Sequence, residues 1–162
     1  MGTKRSAILV DPLRQGPPPL DPASASSVAS CALPARYEAV REARQFTTRT
    51  LHDWRLTSRF DDTCLVVSEL VTNALKHALP SDAAHEADLP VRLHLMRWNT
   101  RLVCAVRDPD QESPVAVEAD AHDAAAESGR GLFLVESFSD GWGWHPLAGT
   151  LHGKVVWALF QL

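Results

Sequence analysis

Residues 61–78 read DDTCLVVSELVTNALKHA, and the rest of the chain is best understood outward from them. Asp61 and Asp62 open the stretch, where they suit the positive end of a helix dipole, and Pro80 stands just past its end. Cys64, Val67, Val71, Ala74 and Ala78 recur by threes and fours, the spacing of one apolar helical stripe. Glu69 and Asn73 are one turn apart and are expected together on a face pointing away from that stripe. Asn is a poor choice inside a helix, because its amide competes with backbone hydrogen bonds. A solvated Glu–Asn pair and a ligand-binding pair both remain open from these residues alone.

Upstream, Ala35–Trp54 repeats Tyr37, Val40, Ala43, Phe46 or Thr47, Leu51 and Trp54 at helical spacing, which predicts an amphipathic helix. Val28–Leu33, closed by Pro34, predicts a short strand. Residues 1–27 contain QGPPPLDPASASS, rich in Pro, Ser, Ala and Gly with little to bury. They are expected to form a flexible tail before a folded domain at 28–162.

Downstream, residues 80–88 are expected to form a polar loop. Val91–Trp98 and Leu102–Arg107 predict strands joined as a hairpin by Asn99-Thr100-Arg101. Residues 109–128, rich in Asp, Glu, Ala and Pro, predict a long mobile loop. A short helix from Gly131 to Phe138 and strands at Trp142–His145 and Lys154–Leu162 complete the chain. This order predicts an α+β fold, a two-layer sandwich with helices on one face of a sheet.

The chain has 162 residues and a net charge of -4. That balance argues against a general nucleic-acid binder, which needs a basic surface, but leaves room for a single nucleotide. Cys31, Cys64 and Cys104 are dispersed and odd in number, so no disulfide framework or metal-ligand spacing follows. Thiols in a reducing cytoplasm are expected. The apolar run Ala7–Val10 near the start is too short for a signal peptide or a membrane span, so a cytoplasmic location is expected.

Asp108 ends a strand before Pro109, where it could start a turn or accept a hydrogen bond from a purine amine. Six of the eight glycines fall from Gly129 onward, and Gly129-Arg130-Gly131 directly precedes a helical run. Glycines placed there let backbone N–H groups approach phosphate oxygens. Neither the Walker pattern nor a strand-linked G-x-G-x-x-G is present, so the P-loop and Rossmann readings lose support.

Four blocks in order carry a resemblance: SELVTNALKHA (68–78), VRDPD (106–110), SGRGLFLVESFSDGWGW (128–144) and GKVVWAL (153–159). They resemble the N-box, the adenine-binding glycine-box region, the second glycine box and the closing strand of the GHKL superfamily. The likeness covers about residues 28–162 and is greatest to anti-sigma-factor serine/threonine kinases of the RsbW and SpoIIAB type. It implies the Bergerat sandwich, with a mixed, mostly antiparallel sheet, and ATP and Mg2+ as ligands. By the same resemblance, Asn73 would hold Mg2+ against the phosphates and Asp108 would accept the adenine amine. Gly129 and Gly131 would shape a loop over the phosphates, with Arg130 pairing with them. Glu69 would be general base toward a Ser or Thr hydroxyl on a partner. The implied partners are a sigma factor and its anti-sigma antagonist, with a homodimer through the first helix and the sheet edge.

Ser68 stands where histidine-kinase N-boxes carry His, and no segment resembles a phosphoacceptor His region, so a sensor histidine kinase is not expected. Asp110 replaces the Gly or Ser common in the family, Val155 replaces a common Thr, and the 109–128 loop is acidic. These departures set out the alternative, a non-catalytic partner-binding module with weak or lost ATP binding.

Overall fold

The computed structural model describes residues 15–78, 91–109, 125–148 and 153–162. Strand periodicity sorts the side chains onto two faces. In β2 (Val91–Arg97), Val91, Leu93 and Leu95 are buried on one face. In β3 (Arg101–Asp108), Leu102, Cys104 and Val106 join that core, while Val103 and Ala105 pack on the other side. With β1 (Ser27–Leu33), β4 (Gly141–Pro146) and β5 (Lys154–Gln161) they form a five-stranded sheet in the order β1-β2-β3-β5-β4. All four strand pairings are antiparallel. Among the described residues, parallel pairing appears only as an isolated bridge between Gln15 and Trp144.

The helices α1 (Glu38–Asp53), α2 (Phe60–Ala78) and α3 (Ala125–Phe138) cover one face. Helix α2 lies centrally, packed on α1, α3 and β3. That position corrects the expected single stripe. Val67, Val71 and Ala74 are buried, but so are Thr63, Val66, Leu70, Asn73 and Leu75. A helix covered on three sides buries most of its circumference, and so Asn73 points inward where a one-sided helix would have exposed it. Each buried Val or Leu here stabilises the fold by roughly 1.5–3 kcal/mol. Helix α1 buries Ala39, Ala43, Thr47, Thr50 and Leu51, whereas Tyr37, expected in its apolar stripe, is 82% exposed. Small residues let α1 approach closely, and Thr47 Oγ1 satisfies itself on the Ala43 carbonyl at 2.8 Å.

Helix α3 begins at Ala125, six residues before the expected start at Gly131. Ala125, Ala126 and Glu127 are strong helix formers, and a helix once begun propagates across glycines at about 1 kcal/mol each. Residues 110–124, most of the expected loop, lie outside the described residues, as do 80–88.

The segment expected as a tail differs most. Residues 1–14 lie outside the described residues, but from Gln15 to Ser26 the chain is laid across the sheet face opposite the helices. Trp157 Nε1 donates to the Gly16 carbonyl at 2.8 Å, and Trp98 Nε1 to the Asp21 carbonyl at 3.2 Å and Ser24 Oγ at 3.0 Å. Leu20 and Ala25 pack on a small core of Trp98, Val103, Ala105 and Trp157. The low apolar content hid the partners, because the tryptophans that hold this strap lie on β5 and beside β2. Deleting residues 1–26 is expected to lower stability by about 2–4 kcal/mol, from one lost apolar anchor and a few hydrogen bonds. It should also red-shift tryptophan emission. Urea unfolding followed by fluorescence checks both, and an unchanged midpoint would mean that the strap contributes nothing.

Candidate functional site

One contact fixes which ends of the elements meet. The Arg59 guanidinium, just before α2, lies 5.3 Å from the Phe160 ring centroid, 3.2 Å from Asp140 and 3.5 Å from the Phe138 carbonyl. The start of α2, the end of α3 and the end of β5 therefore converge. Running away from that point, α2 reaches Asn73 after about 20 Å at 1.5 Å per residue. Strand β5 reaches Lys154, opposite Asp108, after about 20 Å at 3.3 Å per residue. Helix α3 reaches its first residue after about 20 Å as well. Asn73, the Asp108–Lys154 pair and the first turn of α3 thus each lie about 20 Å along their own element from that point.

Asp108 and Lys154 are directly opposed in the β3–β5 register and share the helix-side parity of Val106 and Val156. Lys154 Nζ lies 3.1 Å from Asp108 Oδ2, and the two side chains are 0% and 2% exposed. A charge so sealed persists only when paired. The backbone beside it is also specialised. Gly153 has φ +121, and a Cβ there would run into the Asp108 carbonyl oxygen. Glycine is what lets β5 enter the sheet against that carbonyl. Sequence reasoning missed Lys154, although a single charge opening the otherwise apolar run KVVWALF is a readable signal of a buried partner.

Asn73 is buried, and among the described residues its carboxamide makes no hydrogen bond, yet it is not sealed off as an orphaned group. Its polar atoms stay within reach of water or of a ligand. Glu69, one turn earlier, is half-buried and forms no ion pair among the described residues. Gly129, Arg130 and Gly131 lie in the second turn of α3, where a loop was expected. Their backbone N–H groups fall within the helix, so the donors left without intrahelical partners belong to the first turn, 125–128. That first turn carries the partial positive charge of a helix N-terminus.

Other candidates fall away. Burial raises the Cys104 thiol to about 12 and raises those of Cys64 and Cys31 as well, so none is a ready nucleophile. Trp142 and Trp144 pack on the helix-side core, with Trp142 Nε1 donating to Glu136 Oε2 at 2.6 Å. Among the described residues no helix is long and apolar enough to cross a membrane.

The sequence matches the family model described as "Histidine kinase-like ATPase domain" over residues 33–158. Among solved structures it is similar to a chain of the crystal structure of the SiaB-SiaC complex from Pseudomonas aeruginosa. That likeness has a TM-score of 0.57 at 14% identity and covers 98% of this chain and 95% of the other. At such identity it concerns the fold alone. No curated protein matches the sequence.

Proposed function

Because the chain belongs to the histidine kinase-like ATPase domain family, with ATP the ligand its fold implies, we propose that it is an ATP-dependent serine/threonine protein kinase acting on an anti-sigma antagonist. The observation that carries this reading is Asn73, a buried carboxamide that makes no hydrogen bond among the described residues, one turn after Glu69 on α2.

The residues fit the ligand by their chemistry. Asp108 is an acceptor matched to the adenine amine. The first turn of α3 offers backbone donors to phosphate oxygens, and the glycines at 129 and 131 keep that turn easily reshaped. Asn73 contributes a carbonyl oxygen of the kind that Mg2+ takes alongside substrate phosphates. Bound Mg2+ neutralises charge developing on the transferred phosphoryl group. Glu69, one turn from Asn73 on α2, would take the proton from the acceptor hydroxyl as its oxygen attacks phosphorus and the bond to ADP breaks.

The acceptor belongs to a partner protein. The structural relative forms part of a protein complex, and family resemblance supports a sigma factor and its antagonist as partners. A second reading, capture of partners with weak ATP binding, is favoured by one observation: Oδ2 of Asp108 is already engaged by Lys154.

Calorimetric titration with Mg-ATP tests the proposal. Saturable binding is expected, with Asn73→Ala weakening it at least tenfold, as loss of a ligand-facing polar group costs about 1.4 kcal/mol or more. Absence of binding at millimolar ATP would leave the partner-capture reading.

A further inference from the structure

Lys154 is fully buried, and the other helix-side positions of β5, Val156, Ala158 and Phe160, are apolar. Replacing a buried ion pair by apolar residues of similar volume is often neutral or stabilising. Stability alone therefore does not account for a lysine at this position. The fold pairs Lys154 with Asp108 at 3.1 Å where an apolar pair would pack as well.

We propose that Lys154 is a positioning and specificity residue for the purine: its ammonium keeps Asp108 ionised and oriented, so that the base edge meets an acceptor-only group. This rests on the nucleotide reading of the site. A buried Asp without a cation shifts toward the neutral form. A protonated carboxyl carries an O–H donor and no longer distinguishes an amine from a carbonyl. The ionised carboxylate accepts from the 6-amino group of adenine and repels the 6-oxo group of guanine. The 3.1 Å contact to Oδ2, fixed by the direct Asp108–Lys154 register, holds the carboxylate in one orientation.

Among the described residues, other charged groups lie on the elements packed against the pair. Glu69 and Lys76 lie on α2, the helix packed against β3 and β5. Arg107 and His145 flank it on β3 and β4, but by strand parity they face the opposite side of the sheet.

The experiment compares wild type, Lys154→Met and the double variant Asp108→Asn/Lys154→Met, with ATP and GTP titrated at pH 6 and pH 8. Asp108 is also followed by carbon NMR of its carboxyl group without nucleotide. Wild type is expected to prefer ATP at both pH values. Lys154→Met should bind ATP at least tenfold more weakly at pH 6, recover as pH rises, and lose its preference over GTP. Its Asp108 carboxyl should titrate at higher pH than in wild type. The double variant, neutral at both positions, keeps the test alive if the single variant fails to fold; it should bind without pH dependence and with reduced preference. Unchanged affinity, preference and carboxyl titration in Lys154→Met, or retained preference in the double variant, would overturn the assignment. Failure of wild type to bind any nucleotide would instead remove the functional reading, and the carboxyl titration would then decide separately whether Lys154 holds Asp108 ionised.

Discussion

Asp108→Ala is expected to destabilise the protein by about 3–5 kcal/mol and to abolish ATP binding. Removing one partner of a buried ion pair leaves the other charge uncompensated, and that penalty exceeds the net worth of the pair. Lys154 has no exposed surface, and its strand is bonded on both sides, by β3 and β4, so it has no easy route to water. Asp108→Asn should cost less, because the amide oxygen still accepts from the ammonium. Urea unfolding gives the comparison directly. A loss below about 1 kcal/mol for the alanine variant, within the range of an ordinary surface pair, would mean that β5 shifts to hydrate the lysine.

The second large effect is catalytic. Glu69→Gln preserves shape and removes the base, so phosphotransfer to the partner should fall about 100- to 10,000-fold, the usual contribution of general acid–base catalysis. The Kd for ATP should change little, since the proposed contacts to nucleotide come from Asn73, Asp108 and α3. Single-turnover transfer from labelled ATP separates the two quantities. Equal rates for the variant and the wild type would exclude Glu69 as the base and turn attention to partner capture.

Local sequence carried the elements well. The β2–β3 hairpin and the extent of α2 were legible, because apolar period and turn residues are local signals. Asn73 was legible as unusual, but its burial was not: periodicity reports one covered side, whereas α2 is covered by three neighbours. Asp108 could be singled out as a strand-ending acid, but its partner Lys154 is 46 residues away and becomes adjacent only through strand register. The start of α3 was missed because two glycines read as a loop, although the preceding Ala-Ala-Glu favours a helix. The strap was missed for a related reason, since nothing within residues 15–26 names the indoles that hold it.

That strap has a consequence for how the protein comes into being. Gly16 and the indole it meets are separated by 141 residues. A ribosome adding about 5–20 residues per second needs roughly 7–30 s to make the intervening chain. Until Trp157 is made, the Gly16 end of the strap has no indole to meet, although Trp98 is already available to Asp21 and Ser24. Pro17, Pro18 and Pro19 keep the waiting segment extended and unable to pair as a strand. Closure of the strap at Gly16 thus waits for Trp157, and nascent chains stalled short of it would hold the strap only at its Trp98 end.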